Sequence, residues 1–206
     1  MQMADPRKVV RRLEGWRAIS GRSRFTWQGR NAPASPRRRT RSVGKGYIMD
    51  IRKFLLDNGV AFSVGRHPPQ FTAQEVAAAE HVPGRQVAKV VILKVDDRFV
   101  MGVLPAPMLV DTDKVAALYD ARDVRFADEA EMRSIFPDCE VGAEPPFGNL
   151  YGLEVIVDRR LAMQENIVFQ SGTHRETIHM RFADYERLVK PRIEDFALAP
   201  EKVQAA

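Results

Sequence analysis

The chain has 206 residues, 45% of them apolar, which is enough to bury a core and excludes wholesale disorder. One cysteine, Cys139, excludes an internal disulfide and a Cys-cluster metal site, and no run reaches the roughly 20 apolar residues that a membrane helix needs. The formal net charge of +5 conceals a division: residues 1–48 carry 13 Lys/Arg against 2 Asp/Glu (+11), and residues 49–206 carry 19 against 25 (−6). The two parts therefore need separate treatment. Cysteine usage fits a reducing cytoplasm, and the N-terminus has neither the apolar stretch of a secretory signal nor that of a twin-arginine signal.

Residues 1–48 read as a basic, low-order extension. Arg37-Arg38-Arg39-Thr40-Arg41 follows a segment rich in Pro and Ala, and both tryptophans, Trp16 and Trp27, fall here. Three readings stay open. The segment is a nucleic-acid-binding arm, an Arg-rich organelle presequence, or an upstream extension from a wrongly chosen start with Met49 the real initiator. The last is favoured because Met49 sits directly before the first well-formed helix.

From Met49 the elements follow in order. Asp50 to Gly59 is a short helix with Ile51, Phe54 and Leu55 on one face and Gly59 as its stop. Val60 to Val64 alternates as a strand. Thr72-Ala73-Gln74-Glu75 is a capping box that opens a helix through about Glu80, ended by Pro83-Gly84. Gln86 to Val95 is β-rich, and Asp96-Asp97 turns it into a second strand, Arg98 to Leu104. Asp111 or Thr112 caps a helix to Tyr119. Asp123 to Phe126 is a strand, and Asp128 caps a helix from Glu129 to Phe136, stopped by Pro137. A Gly- and Pro-rich loop runs from Cys139 to Gly152. Strands are expected near Leu153–Val157, Asn166–Gln170 and Glu176–Phe182, then a helix from Ala183 to Val189. The tail from Ala197 reads as frayed. Without strict βαβ alternation, this order predicts an α+β fold with a mixed, largely antiparallel sheet.

No Gly-rich phosphate loop, His-Glu-x-x-His or Gly-x-Ser-x-Gly is present, and the four histidines have no metal-ligand spacing. Three features remain. In a strand, Lys89 shares a face with Val91 and Leu93, so its ammonium sits at the edge of a core or pocket, where it can hold a carbonyl or phosphate oxygen. The alternative is a lysine that snorkels from the sheet edge. Gly142-Ala143-Glu144-Pro145-Pro146-Phe147-Gly148 is stiff and can present backbone groups to a ligand, or is a rigid surface turn. Ser171-Gly172-Thr173-His174-Arg175-Glu176 breaks a β-run before polar side chains. His174 is either a ligand or proton-transfer group or an exposed residue of a turn. Cys139 is expected to be inert.

Together these motifs resemble the YbaK/prolyl-tRNA synthetase-associated domain family of aminoacyl-tRNA editing domains. The resemblance covers about residues 49–192. It runs through Thr72-Ala73-Gln74-Glu75-Val76-Ala77, Val82-Pro83-Gly84, Ala88-Lys89, the Gly142-x-x-x-Pro146 loop with Phe147-Gly148, and Gly172-Thr173-His174-Arg175-Glu176. It implies a curled, barrel-like sheet with surrounding helices, a deacylase domain over 49–192, and a C-terminal tail over 193–206. It also implies the hydrolysis of mischarged aminoacyl-tRNA to amino acid and free tRNA. On that resemblance Lys89 and His174 are catalytic candidates, and Gly142, Pro146, Phe147, Gly172 and Thr173 bind substrate. No metal or cofactor is implied, and the partners are the acceptor end of aminoacyl-tRNA and an aminoacyl-tRNA synthetase. Val90 departs from the polar residue that often follows the lysine in editing members, which affects contacts to the ribose or the choice of amino acid. Two rival classes remain: a non-catalytic tRNA- or synthetase-binding adaptor, and a hydrolase of another small acyl ester or thioester.

Overall fold

The computed structural model describes residues 50–200; the expectations for the basic segment 1–48 lie outside them. Helix α1 (Ile51–Asp57) starts where the Asp50 carboxylate accepts from the backbone N–H groups of Arg52 and Lys53. Its Ile51 and Leu55 are buried, with Phe54 packed beside them. Strand β1 (Phe62–Arg66) leads to α2 (Ala73–Ala79). There Thr72 and Glu75 form the expected reciprocal capping box. At the end of α2 the Glu80 carboxylate lies over Gly65 of β1 and accepts from Thr177 Oγ1 at 2.7 Å, with His179 Nε2 at 2.8 Å. Burial works to raise the Glu80 pKa, but these hydrogen bonds outweigh it and hold the carboxyl below its usual value.

The hairpin β2 (Ala88–Val95) and β3 (Arg98–Pro105) turns at Asp96-Asp97, with Asp96 in the left-handed region at φ +49°. It is followed by β4 (Leu109–Val110), α3 (Thr112–Tyr119), β5 (Val124–Phe126) and α4 (Glu129–Ile135). After the long loop come β6 (Glu154–Asp158), α5 (Arg159–Ala162), β7 (Asn166–Gln170), β8 (Glu176–Arg181), α6 (Phe182–Val189), β9 (Arg192–Glu194) and β10 (Ala197–Leu198).

The largest sheet has the order β5-β2-β3-β6-β9, a second has β1-β8-β7, and β10 pairs with β4. Pairings are antiparallel except β3–β6 and β6–β9, so the expected mixed, largely antiparallel α+β architecture is present. The expectation of a barrel-like sheet is corrected. The five-stranded sheet ends at β5 and β9, and an isolated bridge, Val87 to Val168, links it to the three-stranded one. Closure depends on pairings between distant strands, which local alternation does not encode.

Strand β2 has apolar packing on both faces. Ala88 and Ile92 join the larger core with α1, α6, β7 and β8, whereas Leu93 and Val95 join a second core with Val115 of α3 and Phe196. The segment read as a frayed tail from Ala197 is corrected too. Phe196 is fully buried, Ala197 begins β10, and both backbone N–H groups donate to the buried Asp158 carboxylate at 3.3 and 3.0 Å. The same carboxylate caps α5 and meets the Arg160 guanidinium at 3.2 Å. Replacing it would strand two buried donors, so Asp158→Ala is expected to destabilise the fold by about 2–4 kcal/mol. Urea denaturation checks this, together with loss of amide-exchange protection at residues 196–198.

Candidate active site

A cavity of about 310 Å³ lies where the start of β2 meets the first turn of α2 and the Gly- and Pro-rich loop. The capping box fixes Phe71 to Gln74 along one side, with Val76 behind them; Val87 to Val90 form another side, and Gly142, Glu144 and Gln170 complete the lining. The Gln74 side-chain amide donates to the Ala106 carbonyl at 3.1 Å, which ties α2 to the end of β3.

Lys89 stands second in β2, paired in register with Leu104. Alternation puts its side chain on the face of the smaller core, while it borders both this cavity and a shallower apolar groove with Val91, Leu109 and Leu198. Its Nζ donates to the Met108 carbonyl. Among the described residues it has no carboxylate partner, and half-burial pushes its pKa below the ordinary lysine value. Such an ammonium is poorly compensated and can turn to an oxygen that enters the cavity.

The loop is rigid for reasons that lie within it and behind it. Gly142 has φ +90°, a conformation strained for any side chain, and its N–H reaches both Glu144 carboxylate oxygens at 3.0 and 3.1 Å. The Pro146 carbonyl accepts from the buried Tyr185 hydroxyl at 2.9 Å. Phe147 is fully buried, its ring centroid 5.5 to 5.9 Å from those of Tyr185, Phe169 and Phe54. Pro146 and Phe147 thus anchor the loop in the core and do not line the cavity. Gly172, at φ +101°, donates to the Ala143 carbonyl and accepts from the Glu140 N–H, both at 2.9 Å, and so clamps the loop from the other side. Thr173 is exposed, away from the cavity lining.

His174 sits behind the cavity wall and not on it. One ring nitrogen lies 3.1 Å from the Gln70 carbonyl and the other 3.1 Å from the Val141 carbonyl. Its backbone N–H donates to Glu140 at 2.7 Å, and the Phe71 ring lies over it at 4.7 Å. The ring therefore joins the segment before α2 to the Gly142 loop. Gln170 reinforces this junction by donating to the Gln70 carbonyl at 2.9 Å. Cys139 is half-buried, and burial pushes its thiol up to about 12, so it is inert as a nucleophile.

Glu144 is the residue that sequence reasoning passed over. It is 4% exposed, it lines the cavity, and burial raises its pKa against the opposing hydrogen bonds of the loop backbone and the nearby His174. A signal was available: Glu144 is the lone charge in an otherwise apolar, Gly- and Pro-rich stretch. The arrangement joins a half-buried cation, a buried carboxyl and rigid backbone in one small space, which suits an activated carbonyl compound and water. Among the described residues, no group of three or more His, Cys, Asp or Glu is placed to hold a metal ion, and no helix is long and apolar enough to cross a membrane.

The model of the aminoacyl-tRNA editing domain matches residues 67–188, more than half of the chain and all of the cavity lining. The chain belongs to this family. Proline–tRNA ligase of Bacillus cytotoxicus is 32% identical over 120 residues, 58% of this chain and 21% of the ligase. That of Thiobacillus denitrificans is 29% identical over 121 residues, 58% of this chain and 20% of the ligase. The chain thus spans about a fifth of the length of these curated relatives. A solved structure described as a proposed trans-editing enzyme for prolyl tRNA synthetase has a TM-score of 0.65 at 20% identity, over 72% of this chain and 95% of that one. A hypothetical protein of known structure has a TM-score of 0.67 at 17% identity, over 73% and 100%. Both share the fold.

The folded-state pKa of Glu144 lies above its unfolded value, so the wild-type chain loses stability as pH rises through that folded value. Glu144→Gln keeps an acceptor for the Gly142 N–H and removes the charge. Its Tm is expected to exceed that of the wild type at pH 7–8, with the gain shrinking as the wild-type carboxyl protonates in acid. Calorimetry across that range checks the sign.

Proposed function

We propose that the chain is an aminoacyl-tRNA deacylase that hydrolyses the ester of mischarged tRNA in trans, in the cytoplasm, releasing the amino acid and free tRNA. Residues 49–192 are its deacylase domain on this reading, residues 1–48 an N-terminal extension, and residues 193–206 a C-terminal segment. The observation that carries the proposal is Lys89: a half-buried ammonium without a carboxylate partner among the described residues, on the wall of a cavity bounded by the Gly142 loop. The family supports the editing class. A solved structure that shares this fold is described as a proposed trans-editing enzyme for prolyl tRNA synthetase, which supports the reading of action in trans.

An aminoacyl ester is already activated, so a bound water can attack its carbonyl carbon directly without a covalent enzyme intermediate. The carbonyl oxygen becomes an oxyanion, and Lys89 stabilises it by exchanging its hydrogen bond with Met108 for one to the substrate. The bond to the ribose oxygen then breaks, and that oxygen takes up the proton released by the attacking water and leaves as the terminal hydroxyl. The Gly142 loop and the first turn of α2 fix the acyl group against the ammonium. Pocket size supplies the selection, excluding larger side chains and sparing their esters. The partners on this reading are the acceptor end of aminoacyl-tRNA and a synthetase, with prolyl-tRNA synthetase suggested by the relatives. His174 serves as a positioning residue that joins two walls of the cavity.

A panel of mischarged tRNAs tests this. The wild type is expected to deacylate at least one of them, and Lys89→Ala to lose about 10²-fold or more in rate. Hydrolysis of none, or an unchanged rate in Lys89→Ala, removes the proposal; tRNA that binds and stays charged favours the adaptor. The charged lysine is the active form, and burial lowers its pKa. The enzymatic rate is therefore expected to fall with rising pH through a value below the ordinary 10.5. Lys89→Arg, which stays charged, is expected to lose that descending limb.

A further inference from the structure

An aminoacyl ester brings more than a carbonyl into the cavity. Its α-amino group is a hydrogen-bond donor in either protonation state and a cation when protonated. It lies one carbon from the carbonyl, so whatever holds the carbonyl oxygen holds the amine nearby. Of the residues that line the cavity, Lys89 and Glu144 alone carry formal charge. Lys89 repels an ammonium, and the remaining lining is apolar, amide or hydroxyl.

Glu144 has the complementary chemistry and lacks a cationic salt-bridge partner among the described residues. The Gly142 N–H is shared between its two oxygens and fixes the carboxylate without filling its remaining lone pairs. At 4% exposure it is almost out of reach of bulk water, so a cation that enters the cavity would be its main compensation. Its raised pKa marks the same deficit. Gly142 at φ +90° and the Tyr185 bond to Pro146 keep this arrangement in place before substrate arrives.

We infer that Glu144 receives the α-amino group of the aminoacyl ester, so that the cavity accepts esters of free amino acids and refuses N-acylated ones, peptidyl-tRNA included. This inference rests on the deacylase reading and adds a substrate boundary to it. Editing confined to free amines would spare chains under synthesis without any contact to the side chain.

The test uses a stable amide analogue of the charged tRNA end, 3′-deoxy-3′-(alanylamino)adenosine, and its Nα-acetyl derivative. Calorimetry with the full chain is expected to show the free amine bound about tenfold or more tightly. Glu144→Gln is expected to abolish that preference while leaving the affinity for the acetylated analogue unchanged. Equal binding of both analogues by the wild type, no binding of either, or a preference that survives in Glu144→Gln overturns the inference. A fall in kcat alone in Glu144→Gln, with the preference intact, also overturns it and assigns the carboxylate to water activation. A parallel measurement with charged tRNA and its Nα-acetylated form keeps the two proposals apart. Equal hydrolysis of both refutes the amine contact alone. Amine-selective binding of the analogue with no hydrolysis of any charged tRNA refutes the deacylase reading alone.

Discussion

Two opposite charges line one small cavity without an ion pair between them, and the site depends on their separation. Lys89 is held by the Met108 carbonyl and Glu144 by the Gly142 N–H. The backbone sets the place of each group. Lys89 is fixed in the register of β2 with β3, and Glu144 by a loop pinned at both sides through Gly172 and Tyr185. An interior that keeps its charges unneutralised gives up stability and retains the capacity to bind a polar ligand.

The same economy explains the less exposed residues around the site. Phe147 and Pro146 contribute nothing to the cavity surface, yet they decide where the loop lies. His174 acts likewise from behind the wall, since its two ring nitrogens face carbonyls of the two segments that must stay together. The distinction between lining and positioning matters for mutagenesis. Loss of His174 would disturb geometry, whereas loss of Lys89 would remove the charge itself.

Much of the fold was legible because its signals are local. Thr72, Asp111 and Asp128 cap their helices as their positions predict, and Asp96-Asp97 turns the central hairpin. Strands β9 and β10 were not legible. Strand β9 is held by its parallel pairing with β6, and the start of β10 by the Asp158 carboxylate, 38 and 39 residues away from the donors it accepts; no local pattern announces such contacts. The open sheet was missed for the same reason. At the site, alternation along β2 placed Lys89 near apolar neighbours, and the loop motif located Gly142. Burial decided the rest: Glu144 was visible as a charge but not as a buried one, and Phe147 and His174 were visible as motif members but not as supports. The charge division keeps its meaning for substrate capture. Residues 49–206 sum to −6, so contact with tRNA on the proposed reading falls to local basic residues, to the +11 segment, or to a partner.

The most direct measurement is a crystal structure of the chain with 3′-deoxy-3′-(alanylamino)adenosine bound. The account predicts the acyl carbonyl oxygen within hydrogen-bond distance of Lys89 Nζ, with the aminoacyl group inside the cavity between β2, the first turn of α2 and the Gly142 loop. Density for the aminoacyl group elsewhere on the protein, or in the cavity with its carbonyl turned away from Lys89, would contradict it.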